Sequence, residues 1–183
     1  MLYAPAAVRP AWMALHGLDL ELESVVAGTT EPMIGQIRLA WWREALEGLD
    51  AGKVPAQPLL QLIAAEVLPR GVSGAELAGL EDRWLEMIGA EVVPESHFTG
   101  GGLLFTWLGR LAGGEAAQAQ ALGMAWAVGE APAGRTAASL RPLAGLAKLA
   151  ARDAARARAG QAPEPRGSLS RQLAMLGAVA FGR

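Results

Sequence analysis

The chain contains no cysteine, which excludes disulfides, iron–sulfur clusters and thiolate zinc sites. Histidine is limited to His16 and His97, too few for a His-rich metal centre. No run approaches the ~20 apolar residues of a membrane span. The N-terminal MLYAPAAVRPAW is too short and too broken by proline for the apolar region of a secretory signal. These absences, with the missing cysteines, fit a cytoplasmic protein. β-Branched residues are scarce and no segment alternates cleanly with a period of two, so little supports a sheet.

Alanine and leucine dominate instead, and they favour helix. The 183 residues are 52% hydrophobic and 19% charged, enough to bury the core of one domain spanning residues 1–183. The net charge of −2 hides an imbalance: residues 1–133 carry 16 acidic and 7 basic side chains, residues 134–183 carry 2 and 9. A basic C-terminal third is open to an anionic membrane surface or a protein partner. No nucleic-acid motif or aromatic–basic interleaving accompanies it.

Helical periodicity predicts a first helix over residues 11–27. Leu15, Leu18, Leu22, Val25 and Val26 form its apolar face, while His16, Asp19 and Glu23 share another. A second helix starts near Thr30, with Glu31 and Pro32 in its first turn, and ends near Asp50 to Gly52. QLIAAEVL forms a short third helix. Ser73 and Glu76 make the capping box of a fourth, which runs to about Glu91 with Leu77, Leu80, Trp84 and Ile88 inward. SHFTGGGLLFTWLGRLAGG follows. Its three consecutive glycines require a bend or a close backbone approach. Further helices cover residues 115–130, Ser139 to about Ala159, and Ser168 or Ser170 to Phe181. Lys148, Arg152, Arg156 and Arg158 recur on the seventh, mostly four apart.

The second helix poses a question. On its wheel Ile34, Ile37, Trp41, Trp42, Ala45 and Leu49 fill a broad apolar arc with Arg38 near the middle, and Arg43 lies on the polar side. A buried arginine needs a carboxylate or a bound anion. Asp19 and Glu23 on the preceding helix are the expected partners.

EPMIGQIRLAWWREAL resembles the second helix of the squalene/phytoene synthase-like family, in particular a divergent branch that includes a complex I assembly factor with this fold. ALHGLDLELESVV is similar to the helix bearing the family's first aspartate-rich motif. GGGLLFTWLGRLAGG, ALGMAWAV, LRPLAGLAKLAARD and SLSRQLAMLGAVAFGR resemble later pieces in order. The resemblance implies an all-α, isoprenoid synthase-like bundle of about eight helices, shortened, with a hydrophobic cavity. In catalytic members two aspartate-rich motifs hold magnesium, which ionises prenyl diphosphates for head-to-head coupling.

This chain departs from that pattern. At the three aspartate positions of the first motif stand Glu23, Ser24 and Ala27. The second motif is replaced by GEAPAGRTAA, with Glu130 alone. The expectation is a degenerate active site that carries no catalytic or metal-ligating residue. Arg38, Trp41, Glu23, Asp19 and His16 would line a cavity for an isoprenoid or lipid, and a protein partner in membrane-complex assembly is the related expectation. Mg²⁺ enters only under the alternative of an active prenyl transferase with a reduced metal site. A further alternative is a helical adaptor that uses the basic C-terminal third.

Overall fold

The structure, a computed structural model, describes residues 3–182, and among them it is all-helical with no strand. The helices are α1 (Arg9–Ala27), α2 (Pro32–Leu49), α3 (Pro58–Glu66), α4 (Gly74–Ala78), α5 (Asp82–Leu85), α6 (Glu95–Leu111), α7 (Ala116–Val128), α8 (Arg141–Arg158) and α9 (Leu169–Phe181). A 3-10 turn, Gly79–Glu81, joins α4 to α5 without a break. The described helices therefore make eight continuous runs. Contacts divide the chain into two compact units, residues 3–100 and the residues from Gly101 onward.

In the first unit α1 buries Trp12, Leu15, Leu18, Leu22 and Val25, one apolar row at helical spacing. Helix α2 begins with Pro32 at its first turn, after Glu31 rather than Thr30 as the N-cap; proline suits a position whose N–H has no helical acceptor. Gln57 caps α3 by accepting from the Leu60 N–H at 2.8 Å. The capping box at Ser73 and Glu76 forms as the sequence predicts. Asp50, just beyond α2, also accepts from the Gly74 and Ala75 amides at 2.6 and 2.9 Å. The end of α2 thus anchors the start of α4. The helix expected to run to Glu91 instead tightens at Gly79–Glu81 and stops at Leu85. Leu77, Leu80 and Trp84 are buried as expected.

In the second unit α8 and α9 form an antiparallel pair. Arg141 at the start of α8 donates to the carbonyls of Val179 and Ala180 at the end of α9. Arg171 near the start of α9 pairs with Asp153 late in α8. Met175 packs against Gly145, where a Cβ would lie 2.3 Å from its sulfur. Phe105 of α6 stacks on Trp126 of α7 with ring centroids 5.1 Å apart. Glu115 caps α7 through the amides of Ala117 and Gln118, and Ser168 caps α9.

The glycine run does not break α6. Gly100 and Gly102 instead let side chains approach closely, and Gly123 of α7 does the same for the Gly101 carbonyl. A Cβ on Gly100 would lie 2.5 Å from the Arg83 Cβ. The carbonyl of Gly101 lies where a Cβ on Gly123 would come within 2.2 Å. A Cβ on Gly102 would lie 3.1 Å from the side chains of Gln120 and Met124.

Candidate functional site

The most unusual chemistry of the first unit is a buried charge cluster. Asp19 on α1 is 4% exposed and Arg83 on α5 is 3% exposed. The Arg83 Nε lies 3.1 Å from Asp19 Oδ1, and Trp84 Nε1–H donates to the same oxygen at 3.0 Å. Arg83 also donates through Nη1 to the His97 carbonyl at 2.5 Å. Its Nη2 stands 3.4 Å from His97 Nε2, and guanidinium can only donate, so Nε2 is the accepting, unprotonated nitrogen. The guanidinium lies 5.1 Å from the Trp84 ring centre, and His97 meets Trp84 edge-on.

Burial pushes the Asp19 carboxyl up, and the Arg83 charge and the Trp84 hydrogen bond counter it. His97 is lowered to about 4, first by burial and then by the Arg83 charge. Burial holds His16, one turn before Asp19 on α1, at about 4 as well. Both histidines are neutral across the physiological range.

Arg38 is not part of this cluster. It is exposed, and it has no hydrogen bond or ion pair among the described residues. The partner of Asp19 is Arg83, and Glu23 is exposed. Arg43, expected in solvent, forms ion pairs with the buried Glu81 and with Asp82. The reason is that the apolar surface of α2 extends past the expected arc, which left out Leu39 and Leu46, and the helix is rotated toward that side. The core takes Gly35, Leu39, Trp42, Leu46 and Leu49, with Thr29 and Ile88 packed where a Cβ on Gly35 would lie 2.9 and 3.0 Å from them. The remaining strip is left outside: Met33, Ile34, Ile37 and Trp41 are 70, 51, 62 and 46% exposed.

Arg38 stands within that exposed strip. With Trp41, Trp42, Glu21 and Gln57 it lines an open cleft of about 260 Å³. Trp41 meets Trp42 edge-on, ring centres 5.2 Å apart, so one indole is anchored in the core and its neighbour forms the wall. The arrangement offers an apolar surface, a flat aromatic face and one guanidinium, which is suited to an apolar chain with an anionic head. Of the five residues expected to share a cavity, the structure brings Arg38 and Trp41 together. It places Asp19 in the buried cluster.

Asp19 is engaged by the cluster rather than left open for a magnesium centre of the kind the sequence resemblance implies. Hard divalent ions take several oxygen ligands. Asp19 Oδ1 already serves Arg83 and Trp84, and no three His, Asp or Glu side chains gather as a metal site among the described residues.

Arg83 and Glu81, the most deeply buried charges beside Asp19, escape a periodicity reading. The available signal was EDRWLE itself, in which Arg83 falls three residues after the inward-facing Leu80. Periodicity scores that position as polar and passes over it.

Residues 1–75 match the squalene/phytoene synthase family model. No curated protein and no solved structure matches the chain. The matched segment carries α1, α2 and α3, hence Asp19, Arg38 and the cleft. That segment is similar to the squalene/phytoene synthase family, and the all-helical architecture of the described residues is consistent with an isoprenoid synthase-like bundle.

Proposed function

We propose that this squalene/phytoene synthase-like chain acts by binding, and holds an isoprenoid or similar lipid with an anionic head against the outer face of α2. The observation that carries this reading is the exposed strip of Ile34, Ile37 and Trp41 with Arg38 set into it. A soluble surface rarely leaves large apolar side chains contiguous without a use for them. Standard head-to-head prenyl transfer is outside the proposal, because Asp19, the buried acid of the motif helix, is committed to Arg83. A role in membrane-complex assembly, delivering or sensing such a lipid beside a protein partner, is compatible with binding of this kind.

The test is thermal denaturation with farnesyl diphosphate, geranylgeranyl diphosphate or a quinone. A ligand at 100 times its Kd stabilises the fold by about 2.7 kcal/mol, a shift of several degrees that Arg38→Ala and Trp41→Ala should abolish. No shift with any isoprenoid would reject the reading. Pyrophosphate release in the presence of magnesium, lost in Glu23→Ala, would replace it with an active transferase that has a reduced metal site.

A further inference from the structure

Helix α9 is built inside out. Its single charged residue, Arg171, is turned inward and paired with Asp153. Met175 and Ala178 complete the buried side. The outward side carries Leu169, Leu173 and Leu176, which are 76, 66 and 48% exposed, and Phe181 at the end is 68% exposed. The leucine spacings of four and three put all three side chains on one stripe. A surface helix of a soluble protein normally shows the opposite polarity.

The neighbourhood of this stripe is cationic. Lys148 on α8 lines a groove of about 410 Å³ together with Leu173, Ala174, Gly177 and Phe181. Arg141 sits at the far end of α9, and Arg152 and Arg156 continue the Lys148 row at four-residue spacing on α8. Ion pairs join Glu164 to Arg152 and Asp153 to Arg171, which leaves Lys148 and Arg156 as the α8 cations of this row with no ion pair among the described residues. Residues 101–183 hold 10 basic and 4 acidic side chains.

We propose that α9 is an interfacial docking helix for an anionic lipid surface. Its leucine stripe and Phe181 enter the headgroup–acyl boundary, and the α8 row, Lys148 foremost, meets the lipid charge. Charge selects among the possible occupants. A second copy would bring cations against cations, whereas an anionic surface is complementary. Area selects further. The four side chains expose on the order of 400 Å², about half of the ~800 Å² each partner brings to a stable protein interface. A bilayer has no such requirement, because apolar side chains gain by leaving water wherever they enter. Lys148 can lay its alkyl stem along the groove and keep its ammonium at the phosphate level. No helix of the described residues is long and apolar enough to cross a membrane, so the contact lies in the plane of the surface.

Vesicle flotation of the full chain tests this. Vesicles of phosphatidylcholine with phosphatidylglycerol should carry the protein, and vesicles of phosphatidylcholine alone should carry roughly fivefold less for each cation engaged. Leu173→Asp should lower the bound fraction about tenfold or more, and Lys148→Glu should remove the dependence on anionic lipid. Leu173 is exposed and Lys148 is half-buried, and unchanged circular dichroism melting confirms that the variants fold. Leu176→Lys, which adds a cation while removing a leucine, should still weaken binding if insertion contributes. Recovery indifferent to phosphatidylglycerol, or unaffected by Leu173→Asp, overturns the proposal. So does light scattering that shows a dimer lost in Leu173→Asp without vesicle binding, which would make the occupant a second copy.

Discussion

At the scale of single residues, the Asp19–Arg83 pair decides most. Each partner is buried, and each is tolerable only because the other is present. Arg83→Met leaves a desolvated carboxylate and should destabilise the fold by about 3–5 kcal/mol in urea titration. Asp19→Leu leaves the guanidinium instead and should cost a similar amount. Combining the two should recover most of the loss. A double variant as unstable as the sum of the singles would show that the pair is not the coupled unit described. The histidines give a second prediction at this scale. Both are held at about 4 in the fold, against about 6.5 in an unfolded chain. Their contribution is fully present above pH 6.5, where both states are neutral. Below it the unfolded chain takes up protons that the native state refuses, so stability falls as pH drops toward 4. The slope approaches about 1.4 kcal/mol per pH unit for His16, and is smaller for the more solvent-accessible His97. His16→Gln should flatten the decline between pH 6.5 and 4.5 in urea midpoints; a slope identical to that of the parent chain would contradict the assignment.

At the scale of elements, glycines set how closely helices approach, and their substitutions should rank accordingly. Gly123→Ala brings a methyl within 2.2 Å of a backbone carbonyl, which cannot rotate away. Gly100→Ala meets the Arg83 side chain at 2.5 Å, at its Cβ, where a side chain has least freedom to yield. Both should destabilise by about 1–3 kcal/mol or more. Gly177→Ala meets nothing within 4 Å inside a helix and should stabilise by roughly 0.5–1 kcal/mol. Thermal melts of the three variants test the order. The element scale is also where the sequence could be read best. Ser73 and Glu76 announce a helix start because their hydrogen bonds are local, and the glycine run announces a bend or a close approach, of which the structure takes the second. The orientation of α2 was not legible. Ile34, Ile37 and Trp41 are as apolar as Leu39, Trp42 and Leu46, and the difference lies in tertiary packing, such as that of Thr29 and Ile88 beside Gly35, which periodicity does not carry. Arg83 was hidden for a related reason: its partner Asp19 lies 64 positions away, beyond any periodicity.

At the scale of the whole molecule, the chain carries two outward apolar faces in opposite electrostatic settings. The α2 strip belongs to the unit of residues 3–100, and residues 1–100 hold 14 acidic and 6 basic side chains. The α9 stripe belongs to the unit from Gly101 onward, which has the reverse balance. Surface charge interactions are screened within about 8–10 Å at ordinary ionic strength, so a face responds chiefly to the charges set beside it in its own unit. A face that binds a small lipid through one arginine and an apolar wall depends mainly on burial. A face that meets a charged surface through several cations depends on salt. Raising the salt from 0.05 to 0.5 M, a range of about tenfold, should therefore strip the protein from anionic vesicles while leaving most of an isoprenoid-induced melting shift in place. The two faces should also separate by mutation. Ile37→Lys should abolish the melting shift and leave flotation near its parent value, and Leu173→Asp should do the reverse. If Ile37→Lys abolished flotation as well, the α2 strip would itself be part of the lipid-contacting surface, and the division of labour between the two faces would fail.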